Sequence, residues 1–148
     1  MAKINPYLRF NEGKCKEAME FYKECLGGEL TFMTVGESPM ASEMPAEAQE
    51  KIMHSTLKKK DLEFFASDMM RDKTVIGDNV ALSLNCESED EIKDLFAKLS
   101  QGGEVFMPLE MAFWGGLFGV LTDKYGVEWM LNYQKEPMPE KNKNKGGE

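Results

Sequence analysis

The sequence predicts an α+β fold in which two βαβββ modules pack side by side as an open, cup-shaped barrel of mixed β-sheet, with the helices outside. The first observation is a repeat. An amphipathic helix pattern that stops at a glycine pair and restarts as a strand occurs at Gly27-Gly28 and, 75 residues later, at Gly102-Gly103. The second is that a strand pattern precedes each helix. The third is that 148 residues, 42% of them hydrophobic, suffice for one globular domain.

The first module opens with a strand pattern over 4–10, where Pro6 indicates an edge strand. A helix is predicted over 14–26, because five apolar residues recur on one face at offsets of 0, 3, 4, 7 and 8: Ala18, Phe21, Tyr22, Cys25 and Leu26. Gly27-Gly28 ends this helix, since glycine adopts positive φ without strain. A second strand follows over 29–35.

Residues 36–45 are typical of a loop, with two prolines as breakers. A short helix is predicted over 46–51, either as a flap beside a pocket or as a plain surface connection. Strands over 52–58 and 62–67 form a pair across the turn Lys59-Lys60-Asp61. The next residues, up to 78, link the two modules.

The second module repeats this order. A strand over 80–86 precedes Ser88, which with Glu91 predicts a capping box at the start of the second helix. The apolar stripe of that helix is Ile92, Leu95, Phe96 and Leu99. Gly102-Gly103 ends it, and the last strands cover 104–107, 117–122 and 127–133, with a turn at 123–126. We expect one domain over 1–134 (modules at about 4–68 and 79–133) and a disordered tail over 135–148.

Charge and cysteine usage narrow the function classes. A net charge of -8 and a pI near 4.8 argue against a nucleic-acid partner, because phosphate binding needs clustered cations. The three cysteines lack C-x-x-C spacing, so we expect no disulfide framework and a cytoplasmic location. No apolar run reaches the roughly 18 residues of a membrane span, and the N-terminus does not resemble a signal peptide.

Several side chains are candidates for chemistry or binding. His54, the one histidine, is either a hydrogen-bonded strand residue or an acid, base or ligand contact facing the cup. Glu63 is either a solvated carboxylate or a base beside His54. Tyr7 and Arg9 share a face of the first strand, where Arg9 suits an anionic ligand group or a surface salt bridge. Trp114, before Gly115-Gly116, either stacks on a ligand or packs in the fold.

Seven motifs, in this order and spacing over about residues 4–133, carry a resemblance to a known superfamily. They are Pro6-Tyr7-Leu8-Arg9-Phe10, Ala18-Met19-Glu20-Phe21-Tyr22, Leu26-Gly27-Gly28, Met53-His54-Ser55-Thr56-Leu57, Phe64-Phe65-Ala66-Ser67-Asp68, Trp114-Gly115-Gly116-Leu117-Phe118-Gly119 and Asp123-Lys124-Tyr125-Gly126-Val127-Glu128-Trp129. The chain resembles the vicinal oxygen chelate superfamily, which includes glyoxalase I, bleomycin-resistance proteins and extradiol dioxygenases. Within it the chain is similar to the PhnB-like branch.

The resemblance implies four positions for metal ligands inside the cup, which metal-using members fill with His, Gln or Glu. In this chain they fall on Asn5, Glu63, Asn79 and Met130, and only Glu63 keeps the expected residue type. We therefore predict no metal site and no cofactor, and a divalent metal is disfavoured. Some members of the branch are described as ubiquinone-biosynthesis methyltransferases, but the sequence offers no glycine-rich loop for a methyl donor.

The predicted function is metal-independent binding of a small molecule, in the manner of the bleomycin-resistance relatives. The alternative is a lyase, isomerase or dioxygenase of the glyoxalase type that uses His54 and Glu63 with a metal or water. We expect the remaining candidates to line the ligand pocket: Asn5, Tyr7, Arg9, Asn79, Trp114 and Met130. The resemblance also implies a homodimer. The acidic charge and the lack of a long apolar run predict no nucleic-acid and no membrane partner.

Overall fold

The structure, a computed structural model, describes residues 2–68 and 73–134. The chain divides into two compact units, Met1–Ile76 and Gly77–Glu148, and each predicted module falls inside one of them. The predicted disordered tail over 135–148 lies outside the described residues, as does part of the linker. Within the described ranges, no helix is long and apolar enough to cross a membrane.

The first unit contains one helix and one four-stranded mixed sheet. Its elements are β1 (Tyr7–Arg9), α1 (Cys15–Leu26), β2 (Glu29–Thr34), β3 (Ile52–Lys59) and β4 (Leu62–Ser67). The strand order is β1-β4-β3-β2, with β1 parallel to β4 and the other pairs antiparallel. β1 is therefore an edge strand, as Pro6 predicted.

The second unit has the same order of elements. They are β5 (Ala81–Asn85), α2 (Glu89–Leu99), β6 (Glu104–Met111), β7 (Gly116–Thr122) and β8 (Glu128–Gln134). The strand order, β5-β8-β7-β6, again places the first strand parallel to the last. This shared topology confirms the predicted α+β class and the repeated βαβββ module.

In the first unit α1 covers one face of the sheet. The Cys15 Sγ lies 3.6 Å from the Ser55 Oγ, and the Tyr22 ring packs edge-on against Phe64 at 5.8 Å between centroids. Asp68 fixes the start of the helix, because its carboxylate accepts hydrogen bonds from the backbone N–H groups of Cys15 and Ile52, each at 2.9 Å. Since strand side chains alternate between faces, the neighbours of these strand residues point away from the helix.

In the second unit α2 packs on the buried face of its own sheet. A Cβ at Gly119 would lie only 2.6 Å from the Phe96 ring, so the helix approaches the β7 backbone closely. Trp129 is 2% exposed and its indole N–H donates to the Asp123 carboxylate at 2.8 Å. The same carboxylate accepts from the Tyr125 and Val127 N–H groups, which closes the predicted 123–126 turn.

Two strands differ from the sequence prediction by more than one residue at an end. β1 begins at Tyr7 and not at residue 4, because Pro6 has no N–H to donate and contributes only its carbonyl, which accepts from Phe65 N. β6 continues to Met111 and not to residue 107. Pro108 is accommodated because β6 is an edge strand whose register with β7 shifts on both sides of Met107.

The helix ends also differ in detail. Gly27 ends α1 at a φ of 80°, as predicted, but α2 ends at Leu99, ahead of its glycine pair. Ser88 caps α2 through Glu91 N, whereas the Glu91 carboxylate accepts from Glu87 N, so only half of the predicted capping box forms. Leu95 is half-buried and not part of the buried stripe. The segment from residue 35 to 51 forms three short 3-10 turns, at Val35–Glu37, Ala41–Glu43 and Ala46–Ala48.

Candidate functional site

The first sheet presents a row of chemically useful side chains on the face that α1 does not cover. Tyr7 pairs with Phe65, which in turn pairs with Thr56, so these three residues lie side by side across β1, β4 and β3. His54 is two residues from Thr56 on β3, and Arg9 is two residues from Tyr7 on β1. Alternation along a strand places both on the same face.

Three rings meet at the centre of this face. The ring centroids are 5.9 Å apart for Tyr7 and His54, 5.5 Å for His54 and Phe65, and 6.2 Å for Tyr7 and Phe65. The Arg9 guanidinium carbon lies 5.9 Å from the Tyr7 centroid. We call Tyr7, His54, Phe65 and Arg9 the ring cluster. The Tyr7 side chain is 44% exposed, so the cluster remains accessible.

The imidazole of His54 is flanked by a hydroxyl group and two aromatic rings. Its Nε2 lies 3.4 Å from the Thr56 hydroxyl, its ring lies beside those of Tyr7 and Phe65, and its cross-strand partner on β2 is Met33. A half-buried histidine between aromatic rings can stack on a flat ligand and can exchange a hydrogen bond with it. Its position therefore favours ligand contact.

The predicted pair of His54 and Glu63 is not brought together. Glu63 pairs across the sheet with Lys58, which is four residues from His54 along β3, a separation of about 13 Å at the usual rise per residue. The Glu63 carboxylate instead lies 3.4 Å from the Lys3 ammonium. Glu63 thus lies at the opposite end of the face from His54.

Asn5 contacts the backbone of Glu63. Its side-chain amide donates to the backbone carbonyl of Glu63 at 3.0 Å. The amide therefore holds the start of the chain against β4. It does not join the ring cluster.

The three candidates in the second unit are dispersed. Asn79 is exposed and precedes β5, which begins at Ala81. Met130 pairs with Ser83 and Val120, on the face of the sheet that α2 does not cover. The Trp114 ring packs edge-on against Phe113 and Phe118, at 5.0 and 5.6 Å between centroids, so its aromatic contacts are within the fold.

The residues at the four implied ligand positions do not fit a divalent metal. Asn5 donates its amide to the backbone, Met130 has neighbours with no strong metal-binding group, and Asn79 lies off the strand. Among residues 2–68 and 73–134, no three His, Cys, Asp or Glu side chains are grouped so as to hold an ion. The donor set thus disagrees with metal-dependent chemistry.

Two of the three buried cysteines, Cys15 and Cys86, are poor nucleophiles. Burial raises the pKa of the Cys15 thiol to about 12, and the Ser55 hydroxyl only partly offsets this effect. Burial, with a smaller contribution from Glu91, raises the pKa of Cys86 to about 11. Both thiols are therefore protonated at neutral pH, and nucleophilic catalysis needs the thiolate.

Sequence reasoning missed two members of the site, Phe65 and Thr56. Phe65 follows Phe64, which is 3% exposed and packs under α1, and the pair resembles a single apolar run. Phe65 lies two residues from Glu63, a candidate for the ligand face, so alternation along the strand was the available indication. The pairing of Tyr7 with Phe65 depends on strand register, which the sequence of one strand does not contain.

Comparisons with known proteins agree with this architecture. A model of the family described as 3-demethylubiquinone-9 3-methyltransferase matches residues 2–132. The chain is 30% identical over 142 residues to Protein YjdN of Escherichia coli (strain K12), covering 90% of this chain and 96% of that protein. It also resembles the crystal structure of PA1353 from Pseudomonas aeruginosa, with 38% identity, a TM-score of 0.81, and coverage of 92% of this chain and 100% of that one.

Two further structures define the wider group. A PhnB protein from Bacillus cereus, titled a putative 3-demethylubiquinone-9 3-methyltransferase, is 31% identical, with a TM-score of 0.69 and coverage of 89% and 99%. A glyoxalase/bleomycin resistance protein/dioxygenase family enzyme from Burkholderia phytofirmans PsJN shares the fold, with a TM-score of 0.60, 11% identity and coverage of 86% and 96%. The chain therefore belongs to the PhnB-like 3-demethylubiquinone-9 3-methyltransferase family, and it shares its fold with a protein of the glyoxalase/bleomycin resistance protein/dioxygenase family.

Proposed function

We propose that this protein binds a small organic molecule on the open face of its first sheet, without a metal. The observation that carries the proposal is the ring cluster: three rings within 5.5 to 6.2 Å of one another, beside the Arg9 guanidinium. Aromatic faces and a few placed polar groups are the usual lining of a small-molecule site. This face also lies opposite the helix that completes the hydrophobic core.

The chemistry of the cluster favours a flat ligand that carries an anionic group. Tyr7 and Phe65 offer π faces and edges for stacking, which contributes about 0.5–1.5 kcal/mol per ring pair beyond surface burial. Arg9 is exposed, and a guanidinium presents paired donors that match a carboxylate or phosphate. His54 and Thr56 add hydrogen-bonding groups to the face that carries the aromatic rings and Arg9.

Benzoate is a minimal probe of this proposal, because it joins an aromatic ring to a carboxylate. Titration of the 15N-labelled protein is expected to shift the amide resonances of Tyr7, Arg9, His54 and Phe65 first. Benzyl alcohol, which lacks the charge, and cyclohexanecarboxylate, which lacks the π face, are expected to bind more weakly. Arg9→Gln should weaken benzoate binding about threefold, as expected for one exposed charge contact.

The control variant removes a charge outside the ring cluster. Lys23→Gln alters an exposed lysine in the last turn of α1 and should leave benzoate binding unchanged. Equal binding of benzoate and benzyl alcohol would contradict the proposal, and so would shifts that avoid β1, β3 and β4.

The second candidate function is a lyase, isomerase or dioxygenase of the glyoxalase type. His54 on an accessible face favours it, because histidine is the commonest acid or base of enzymes near neutral pH. The separation of His54 from Glu63 weighs against it, since a shared reacting atom must lie within hydrogen-bond reach of both. One equivalent of a bound metal per chain would favour the metal-dependent form of this enzyme over metal-independent binding.

The family description names methyl transfer, but the connection between β1 and α1 does not support this activity. The connection from β1 to α1 contains one glycine, Gly13, and the N–H of Cys15 at the start of α1 already donates to Asp68. A glycine-rich loop with open amides is the usual cradle for a nucleotide-like donor. We therefore do not propose this activity.

We further propose a homodimer and a reducing cytoplasmic location. Edge strand β6 and the loop after it expose apolar side chains, with Phe106 77% and Phe113 98% exposed, which supports association with a second copy. All three cysteines are free thiols, which supports the compartment. Light scattering of the purified chain should give twice its 16.8 kDa mass; the monomer mass would contradict the dimer.

A further inference from the structure

A cleft of about 520 Å³ lies on the helix side of the first sheet. Its floor includes Phe32 and Ile52, and its walls include Lys16, Glu37, Gln49 and Glu50. Phe32 pairs with Ser55, the residue that contacts Cys15 of α1, so the cleft and the ring cluster lie on opposite faces of the sheet. We call it the helix-side cleft. Its volume is within the range of small-molecule sites.

Hydrogen bonds hold the Glu37 carboxylate, which lines this cleft, in a fixed orientation. The Oε1 atom of Glu37 accepts hydrogen bonds from Thr34 N at 3.0 Å and Thr34 Oγ1 at 2.9 Å, and Glu37 N donates back to the Thr34 hydroxyl. The backbone hydrogen bond from Thr34, and then the hydroxyl, lower the pKa of Glu37. The carboxylate therefore stays ionised at neutral pH, and these bonds orient it.

The wall beside Glu37 is held by the side chain of Gln49. Its Nε2 donates to the carbonyls of Ala41 at 2.8 Å and Met44 at 3.0 Å, while its backbone carbonyl accepts from Gly36 N at 2.9 Å. These bonds tie the three 3-10 turns to one another. The cleft is thus bordered by a cross-linked segment, which reduces the ordering cost of binding.

The charges around the cleft select a class of ligand. Two carboxylates, Glu37 and Glu50, and one ammonium, Lys16, line the cleft together with the apolar side chains of Phe32 and Ile52. The net charge of -8 on the chain adds a background potential that favours cations. We propose that the helix-side cleft binds a small organic ammonium compound with an apolar body. The ammonium group pairs with Glu37 and Glu50, and the body packs on Phe32 and Ile52. This second site is independent of the ring cluster.

Three probes with a common phenyl body test the assignment: 2-phenylethylammonium, 3-phenylpropionate and 2-phenylethanol. In titrations of the 15N-labelled full chain, 2-phenylethylammonium is expected to bind tightest and to shift the amides of Gly36, Glu37 and Glu50. Binding should weaken as salt rises, because these charges are exposed. A preference for 3-phenylpropionate, or equal binding of all three, measured at the amides of Gly36, Glu37 and Glu50, would overturn the proposal.

Charge-removing variants give effects of opposite sign. Glu50→Gln should weaken 2-phenylethylammonium binding about threefold, and Lys16→Gln should strengthen it by a similar factor, since it removes a repulsive charge. The matched controls, Glu24→Gln and Lys23→Gln on exposed positions of α1, should change it little. Weaker binding in Lys16→Gln would overturn the assignment, because it would indicate an anionic or zwitterionic ligand. Arg9→Gln should leave 2-phenylethylammonium binding at the helix-side cleft unchanged. The test of the cleft is therefore distinct from the test of the ring cluster.

Discussion

Strand register decides which side chains lie next to one another on the first sheet. His54 was predicted to work beside Glu63, yet its neighbours are Tyr7, Phe65 and Thr56. The residue type and its face were predictable from alternation along one strand. The neighbour was not, because it depends on how far one strand slides along the next.

Buried thiols make the stability of the fold sensitive to alkaline pH. The pKa of Cys15 rises from 9.0 to about 12 because burial disfavours the thiolate. Between pH 9.0 and about 12, the Cys15 thiol therefore keeps its proton in the folded state and loses it in the unfolded state. The resulting stability is complete below pH 9 and is lost as pH rises toward 12, by at most about 1.4 kcal/mol per pH unit.

Cys15→Ala should reduce the loss of folding stability at alkaline pH. The difference in unfolding free energy between pH 8 and pH 10, measured by urea denaturation, is expected to be smaller in the variant than in the parent. Val35→Ala, a buried truncation that removes no titrating group, should lose similar stability at both pH values. Parallel pH profiles for Cys15→Ala and the parent would contradict the raised pKa.

At the scale of elements, the repeated glycine pairs do more than end helices. A Cβ at Gly28 would lie 2.7 Å from the Lys58 carbonyl oxygen, and a Cβ at Gly103 would lie 2.3 Å from the Thr122 carbonyl oxygen. The second glycine of each pair thus lets the chain leaving the helix pass against the backbone of the third strand of its module. The sequence indicated the helix stop but not this contact, which joins residues distant along the chain.

Gly103→Ala tests this packing role. The added methyl group meets rigid backbone, so we expect the free energy of unfolding to fall by about 2–3 kcal/mol in urea denaturation. Gly13→Ala is the comparison, because Gly13 has a φ of +68° and no atom within 4 Å of its Cβ position. It should cost about 1 kcal/mol through backbone strain alone. Equal losses would show that the close approach at Gly103 is unimportant.

For the molecule as a whole, the sequence predicted the repeat correctly because helix stops and strand patterns are local. The identical strand orders of the two sheets confirm it. The chemistry is not repeated. The first sheet presents rings and Arg9 on the face away from its helix, while the second presents Ser83, Met130 and Val120 at the centre of the corresponding face. The side chains of the proposed ligand site therefore come from the first module.

Metal content is the most direct test of metal-independent binding. The full chain would be purified without chelator and analysed for zinc, nickel, iron and manganese by mass spectrometry. Because Asn5, Asn79 and Met130 fall on three of the four positions that the resemblance implies for metal ligands, the account predicts far less than one equivalent of any of these metals, and benzoate binding unchanged by chelator. One equivalent of a single metal per chain, with benzoate binding lost when it is removed, would contradict the account.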